Sequence, residues 1–179
     1  MDNNLAISYL IVLIVLLLGS GIAIARQVLR TRRIELTLSR LQKVAKDGEA
    51  SAQEYYELGS LLIDKKLFSR AVVHLQRALK AKDLEGDDNT ALIYNALGFA
   101  YAAQEQYDLA IRQYKEAIEL QPQYVTALNN LGYVYERKVL IEPAIAAYEK
   151  ALELEPKNVT ASKRLNSLRQ RIPAGSAKK

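Results

Sequence analysis

Ala91–Tyr124 reads ALIYNALGFAYAAQEQYDLAIRQYKEAIELQPQY, and the next 34 residues, Val125–Asn158, read VTALNNLGYVYERKVLIEPAIAAYEKALELEPKN. At a shift of 34, Tyr94, Leu97, Gly98, Tyr101, Ala110, Tyr114, Ala117 and Pro122 fall on Leu128, Leu131, Gly132, Tyr135, Ala144, Tyr148, Ala151 and Pro156. A further copy lies upstream, where Tyr55, Leu58, Gly59, Leu62, Ala71, Leu75 and Ala78 precede the middle copy by 39 residues. The extra residues fall between Ala78 and Tyr94, in the acidic stretch Asp83–Asn89, and Asp83 stands where the later copies carry Pro.

A fixed period of this length is the mark of a stacked-repeat architecture. Gly59, Gly98 and Gly132 sit within helical patterns, where Gly costs about 1 kcal/mol against Ala. That cost is tolerable where a second helix must come close. Ala71, Ala110 and Ala144 are the expected small partners on that helix, with Tyr and Leu filling the space around them. Pro122 and Pro156 stop the second helix of their copies.

These residues resemble the tetratricopeptide repeat, a helix–turn–helix unit of 34 residues. The resemblance covers 52–158 as three repeats, 52–90, 91–124 and 125–158. It implies an all-α chain in which a right-handed solenoid presents a concave groove lined by the first helix of each pair. Ser51-Ala52-Gln53-Glu54 has the form of a capping box for the first of these helices. Pro143 lies in the first turn of a second helix, where it is tolerated. Asn158 is an expected N-cap for one more helix, 159–172, with Leu165 and Leu168 inward and Lys163, Arg164, Arg169 and Arg171 outward. Such a helix caps the array with a polar outer face. Residues 173–179 read as a flexible tail.

The N-terminal part is different in kind. Leu5–Ala25 is a 21-residue stretch without a charge. As a helix it is about 31 Å long, close to the ~30 Å hydrocarbon core of a bilayer. Ala23-Ile24-Ala25 has the form of a signal-peptidase site, but Met1-Asp2-Asn3-Asn4 carries no Lys or Arg. The flanks therefore favour an uncleaved transmembrane anchor over 5–25. Arg26, Arg30, Arg32, Arg33, Arg40, Lys43 and Lys46 follow it. The positive-inside bias puts the N-terminus outside and the repeats on the cytoplasmic or stromal side. Residues 26–50 read as a basic juxtamembrane helix and linker. Ile34, Leu38, Leu41 and Ala45 make one apolar stripe, suited to packing on the first repeat, and Gly48 is placed as a C-terminal cap.

Composition excludes much. The 179 residues hold no Cys and one His, so thiol catalysis, iron–sulfur ligation and Cys/His metal centres are out of reach. No Gly-rich phosphate loop is present, and Asp83–Asn89 lacks the ligand spacing of an EF-hand. That stretch reads as a solvated loop in which Asp88 or Asn89 helps cap the next helix. His74 has no nucleophile partner in the pattern and reads as a packing or solvent-edge histidine. No catalytic residue, cofactor or metal is expected. The net charge of +5 is unevenly spread, with +6 over 26–46, −4 over 52–158 and +6 over 159–179. No nucleic-acid signature accompanies the basic segments.

In the resembled family, groove residues occupy five positions of each first helix. Here they are Gln53, Tyr56, Ser60, Ile63 and Asp64, then Leu92, Asn95, Phe99, Ala102 and Ala103, then Thr126, Asn129, Tyr133, Glu136 and Arg137. Of these, Gln53, Tyr56, Ser60, Leu92, Asn95, Phe99, Thr126, Asn129, Tyr133 and Arg137 are the expected partner-binding set. Asn95 and Asn129 share one position, where an amide both donates to and accepts from an extended peptide. Tyr56, Phe99 and Tyr133 offer aromatic anchors. The carboxylate clamp of a chaperone-binding subset would fall on Tyr56, Ser60, Ala96, Thr126 and Asn130, which include no cation. Chaperone-tail binding is therefore not expected.

An anchor, three repeats and a basic closing helix resemble a group of small membrane-anchored tetratricopeptide proteins of cyanobacteria and algal plastids that assist photosystem I assembly. The stretches from Asp88 to Tyr101 and from Tyr124 to Tyr133, with the basic close around Ala161-Ser162-Lys163-Arg164-Leu165, carry that likeness. It implies a thylakoid location and protein partners among photosystem I subunits or assembly intermediates, with no enzymatic step. A general adaptor subunit of a bacterial envelope or secretion complex is the alternative.

Overall fold

The computed structural model describes residues 2–171. Among them are eight helices and no strand: α1 (Asp2–Asp47), α2 (Ala52–Asp64), α3 (Phe68–Lys80), α4 (Asp87–Ala103), α5 (Tyr107–Leu120), α6 (Val125–Arg137), α7 (Ile141–Leu154) and α8 (Val159–Arg171). The tail 173–179 and the expected last residue of the capping helix, Ile172, lie outside the described residues.

Helices α2/α3, α4/α5 and α6/α7 form the three pairs, and successive pairs stack through α3 on α4 and α5 on α6. Each pair turns through a residue with a left-handed backbone, Lys66, Glu105 or Val139, at the same place in its repeat. The next amide reaches back over the helix end. Leu67 N–H donates to Leu62 O at 2.8 Å in the first repeat, and Leu140 N–H donates to Tyr135 O at 2.9 Å in the third. This is a Schellman-type closure. It is strained for Val139, whose branched Cβ disfavours that region.

The glycines face large side chains. A Cβ on Gly98 would lie 2.6 Å from Tyr114 Cε1, one on Gly132 would lie 2.7 Å from Tyr148 Cε1, and one on Gly59 would lie 2.6 Å from Leu75 Cγ. The expected small partners, Ala71, Ala110 and Ala144, are fully buried one turn away. The nearest group to each glycine is thus a ring or a leucyl group, with the Ala71 carbonyl also 3.5 Å from a Cβ on Gly59. The cause is simple. Removing the Cβ makes room for a ring, and the ring fills the seam that two small residues would leave empty.

Both ends of the array are closed by a helix. Leu38, Leu41 and Ala45 of α1 are buried in one core with Tyr55, Leu58, Leu62, Ala71 and Leu75. At a shift of 73, Leu41 corresponds to Tyr114, so the end of α1 stands where a second helix of a preceding repeat would stand. At the other end Ala161, Leu165 and Leu168 of α8 are buried against α7 and the third repeat. They correspond at a shift of 34 to Ala127, Leu131 and Val134 of α6, so α8 is a first helix without its partner.

Capping is local. Ser51 Oγ accepts from Glu54 N–H and the Glu54 carboxylate accepts from Ser51 N–H, completing the capping box. Asn158 Oδ1 accepts from Ala161 N–H at 2.9 Å at the start of α8. The acidic stretch departs from expectation. Helix α4 begins at Asp87, after Gly86 at φ +82°, so Asp88 and Asn89 lie in its first turn and neither caps it. Asp87 and Asp88 favour this early start because they face the positive end of the helix dipole. Asp83 is not a free loop residue either: its carboxylate accepts from Ala52 N–H at 3.1 and 3.2 Å, at the start of α2. An acid where later copies have Pro thus ties the insertion to the first repeat.

Candidate interaction face

The first helices of the pairs lie side by side, α2 against α4 and α4 against α6. Their outward side chains form one surface. At its near end Gln53, Tyr56 and Leu92 wall a small hollow with Asp83, Leu84 and Glu85. In the middle Phe99 is 45% exposed, and Thr126 and Tyr133 follow it on α6 as exposed residues. Ser60 is half-buried, and Tyr56 packs partly on the core beneath. Arg137 is exposed at the far end.

The two asparagines are less free than their shared position suggests. Asn95 Nδ2 donates to Tyr124 Oη at 3.2 Å, and Asn95 Oδ1 accepts from Asn130 Nδ2 at 3.0 Å. Asn129 Nδ2 donates to Asn158 Oδ1 at 3.3 Å, while Asn129 Oδ1 is buried without a partner. Tyr124 and Asn158 hold equivalent places, so each amide first ties its helix to the start of the next repeat. Both asparagines therefore shape the face more than they offer themselves to a ligand. Tyr124 stands over this contact. Burial and the neighbouring Tyr56 raise its pKa, against the hydrogen bond from Asn95.

A polar cluster closes the far end. Arg137 donates to Tyr133 Oη at 3.3 Å, lies 5.5 Å from the Tyr107 ring and pairs with Glu105 at 3.6 Å. Arg164 of α8 stacks 5.6 Å above the Tyr133 ring and reaches Glu136 at 3.7 Å. Glu136 in turn accepts from Tyr148 Oη at 2.6 Å, and burial together with this carboxylate raises the Tyr148 pKa. The phenol stays protonated, as its donor role requires. Tyr124, Asn158 and Arg164 were not in the expected partner-binding set, although Asn158 was expected as an N-cap and Arg164 as an outward residue of α8. The first two were visible as the residues that end each 34-residue copy. Arg164 was visible as the counterpart of Asn130 one period on.

Among the described residues no group of His, Asp and Glu is placed to hold a metal ion. Helix α1 is long and apolar enough to cross a membrane, and its described side chains from Ile7 to Leu36 are all exposed.

Comparison with known proteins agrees with this geometry. Profiles described as TPR repeat and Tetratricopeptide repeat match residues 98–139 and 125–158. A crystal structure of MamA superposes with a TM-score of 0.71 at 24% identity, covering 79% of this chain and 81% of that one. The Tetratricopeptide repeat domain-containing protein PYG7, chloroplastic, of Arabidopsis thaliana is 39% identical over 129 residues. That match covers 72% of this chain, which spans only 42% of the Arabidopsis protein. The ycf37 protein of Cyanophora paradoxa is 35% identical over 127 residues, 71% of this chain and 73% of that protein. With its repeats matched and most of a relative's length aligned, the chain belongs to the ycf37 family of tetratricopeptide-repeat proteins.

Proposed function

We propose that the protein is a non-enzymatic, membrane-anchored interaction scaffold that assists the assembly or stability of photosystem I. The coarser part rests on the fold, since tetratricopeptide arrays are protein-interaction scaffolds. The observation that carries the anchored part is the continuity of α1, and the photosystem I role rests on the sequence likeness together with the relationship to the ycf37 and chloroplast PYG7 proteins. One helix runs from the apolar stretch 5–25 into the core of the first repeat, so the array and its binding face are held at the bilayer without a loose linker. Tethering confines encounter to the membrane plane and raises effective concentration without any new contact. Modest affinity then suffices, which suits a helper that must let go.

The repeats face the cytoplasm or stroma, and the membrane is the thylakoid. The basic flank after Ala25 supports the sidedness, and the chloroplast designation of the Arabidopsis relative supports the compartment. Gln53, Tyr56, Ser60, Leu92, Asn95, Phe99, Thr126, Asn129, Tyr133 and Arg137 form the partner face. Leu92 and Phe99 are its apolar anchors, because both are exposed and neither makes a polar bond within the array.

The test is affinity purification of the tagged full-length protein from its native membrane, followed by mass spectrometry. Photosystem I subunits are expected with the wild type and are lost with Leu92→Ser/Phe99→Ser. Equal recovery with that variant contradicts the face. Unchanged photosystem I levels in a deletion strain contradict the role.

A further inference from the structure

The seams between neighbouring second helices are not alike. Between α5 and α7 a cavity of about 460 Å³ is mainly apolar, with Ile118, Ala146 and Ala147 in its wall. Between α1 and α3 the equivalent seam is a cavity of about 370 Å³ lined by Gln42, Ala45, Lys46, Arg70, His74 and Arg77. No acid lines it. Arg70, His74 and Arg77 are spaced i, i+4 and i+7, so they share one face of α3, and Lys46 stands across from them on α1.

Elsewhere cations at helix junctions find acids. Lys65 pairs with Glu35, Lys138 with Asp108, Arg164 with Glu136 and Arg169 with Glu149. Lys46, Arg70 and Arg77 make no ion pair or side-chain hydrogen bond among the described residues. His74 stacks on Tyr55 with 6.3 Å between ring centroids, and its Nδ1 is buried without a partner. The later repeats do not carry the arrangement, since the equivalents of Arg70, His74 and Arg77 are Leu109, Gln113 and Glu116, then Pro143, Ala147 and Lys150. The solenoid therefore does not need these cations. Arg77 also borders the adjoining hollow that Glu49 and Asp83 line, but it pairs with neither; like charges left unpaired repel one another, and an incoming anion relieves that repulsion.

We infer that the α1–α3 seam is a second docking surface, for an extended acidic segment of a partner protein whose carboxylates meet Arg70, Arg77 and Lys46. The length fits. Arg70 and Arg77 are about 10 Å apart along the helix, the reach of about three extended residues. The occupant is a protein segment and not the bilayer that α1 crosses on the anchored reading. Lys46 lies 21 residues beyond Ala25. That is about 31 Å along the helix, well past the ~8 Å over which a headgroup charge is felt. The surface lies on the second-helix side, so it is independent of the Leu92 and Phe99 face.

The experiment uses the full-length protein in detergent micelles and a fluorescein-labelled decapeptide of alternating Asp and Glu. Two charge-matched variants are compared, Arg70→Gln/Arg77→Gln and Lys115→Gln/Lys150→Gln, the second lying on the apolar seam. The first is expected to weaken binding about tenfold and the second less than about twofold. Unchanged far-UV circular dichroism melts show that both remain folded. His74 is the only histidine, so its imidazole resonance is a direct reporter. Burial, Arg77 and Arg70 hold its pKa below the ordinary value, with Lys46 opposite and Tyr55 stacked on the ring. Bound carboxylates favour the imidazolium, so the peptide raises its titration midpoint. Equal losses in the two variants, or a midpoint that the peptide leaves unmoved, overturn the proposal. So does a midpoint moved by phosphatidylglycerol vesicles or inorganic phosphate but not by the peptide.

Discussion

Helices α1 and α8 perform the same task at opposite ends of the array, and they do it differently. Each lays three apolar residues over an open edge, Leu38, Leu41 and Ala45 at one end and Ala161, Leu165 and Leu168 at the other. Helix α8 keeps Val159, Thr160, Ala161, Leu165 and Arg171 at the places of Val125, Thr126, Ala127, Leu131 and Arg137 in the first helix α6, and ends in a polar, basic face. Helix α1 keeps only the apolar stripe and then runs on toward its N-terminus, with every described side chain from Leu36 back to Ile7 exposed. An end cap needs no more than a stripe, because nothing stacks on its far side. The residues released from packing at α1 are free to carry the apolar stretch and the basic flank.

The comparison is first broken or upheld at the stripes themselves. Leu41→Ala and Leu168→Ala each remove a fully buried side chain, and each should cost about 3 kcal/mol in urea denaturation. If α1 merely rests on the array, Leu41→Ala will cost almost nothing while Leu168→Ala keeps its full effect. The glycine seams nearest the two ends give the next largest effect. Gly132→Ala drives a Cβ into Tyr148, whose hydroxyl is held by Glu136. Gly59→Ala meets Leu75, which has no polar bond to hold it. Thermal melts should show a loss of about 2–3 kcal/mol at Gly132 and about 1 kcal/mol less at Gly59.

Most of this framework was legible in the sequence because packing enforces it at every copy. Tyr114 and Tyr148 recur because Gly98 and Gly132 leave them room, and the 34-residue shift exposes the pairing at once. The capping box at Ser51 and the cap at Asn158 were equally plain, since both act within four residues. What the repeat pattern could not show is any bond made once. Asp83 reaches Ala52 across 31 residues of sequence, and nothing local betrays it. The interaction face is intermediate. Its positions follow from helix geometry, but the use of Asn95 and Asn129 inside the array depends on Tyr124 and Asn158, the residues that lead into the next helix pair.

The caps sharpen the comparison further. Ser51→Ala at α2 and Asn158→Ala at α8 should each cost about 1 kcal/mol in thermal melts. Asn158→Ala should prove the more harmful of the two, because it also strips Asn129 of its acceptor. The smallest effect is a gain. Val139→Gly releases a branched residue from φ +61°, and should stabilise the third repeat by about 0.5–1 kcal/mol by the same measurement.

The central claim is that a membrane-held array meets its partner through the face of its first helices. Photo-crosslinking in native membranes tests it most directly, with p-benzoylphenylalanine placed at Phe99 on that face or at Arg112 on the second-helix side. The account predicts that Phe99 gives a discrete adduct containing a photosystem I subunit and that Arg112 does not. Adducts from Arg112 alone, or from neither position in membranes that are actively assembling photosystem I, would contradict it.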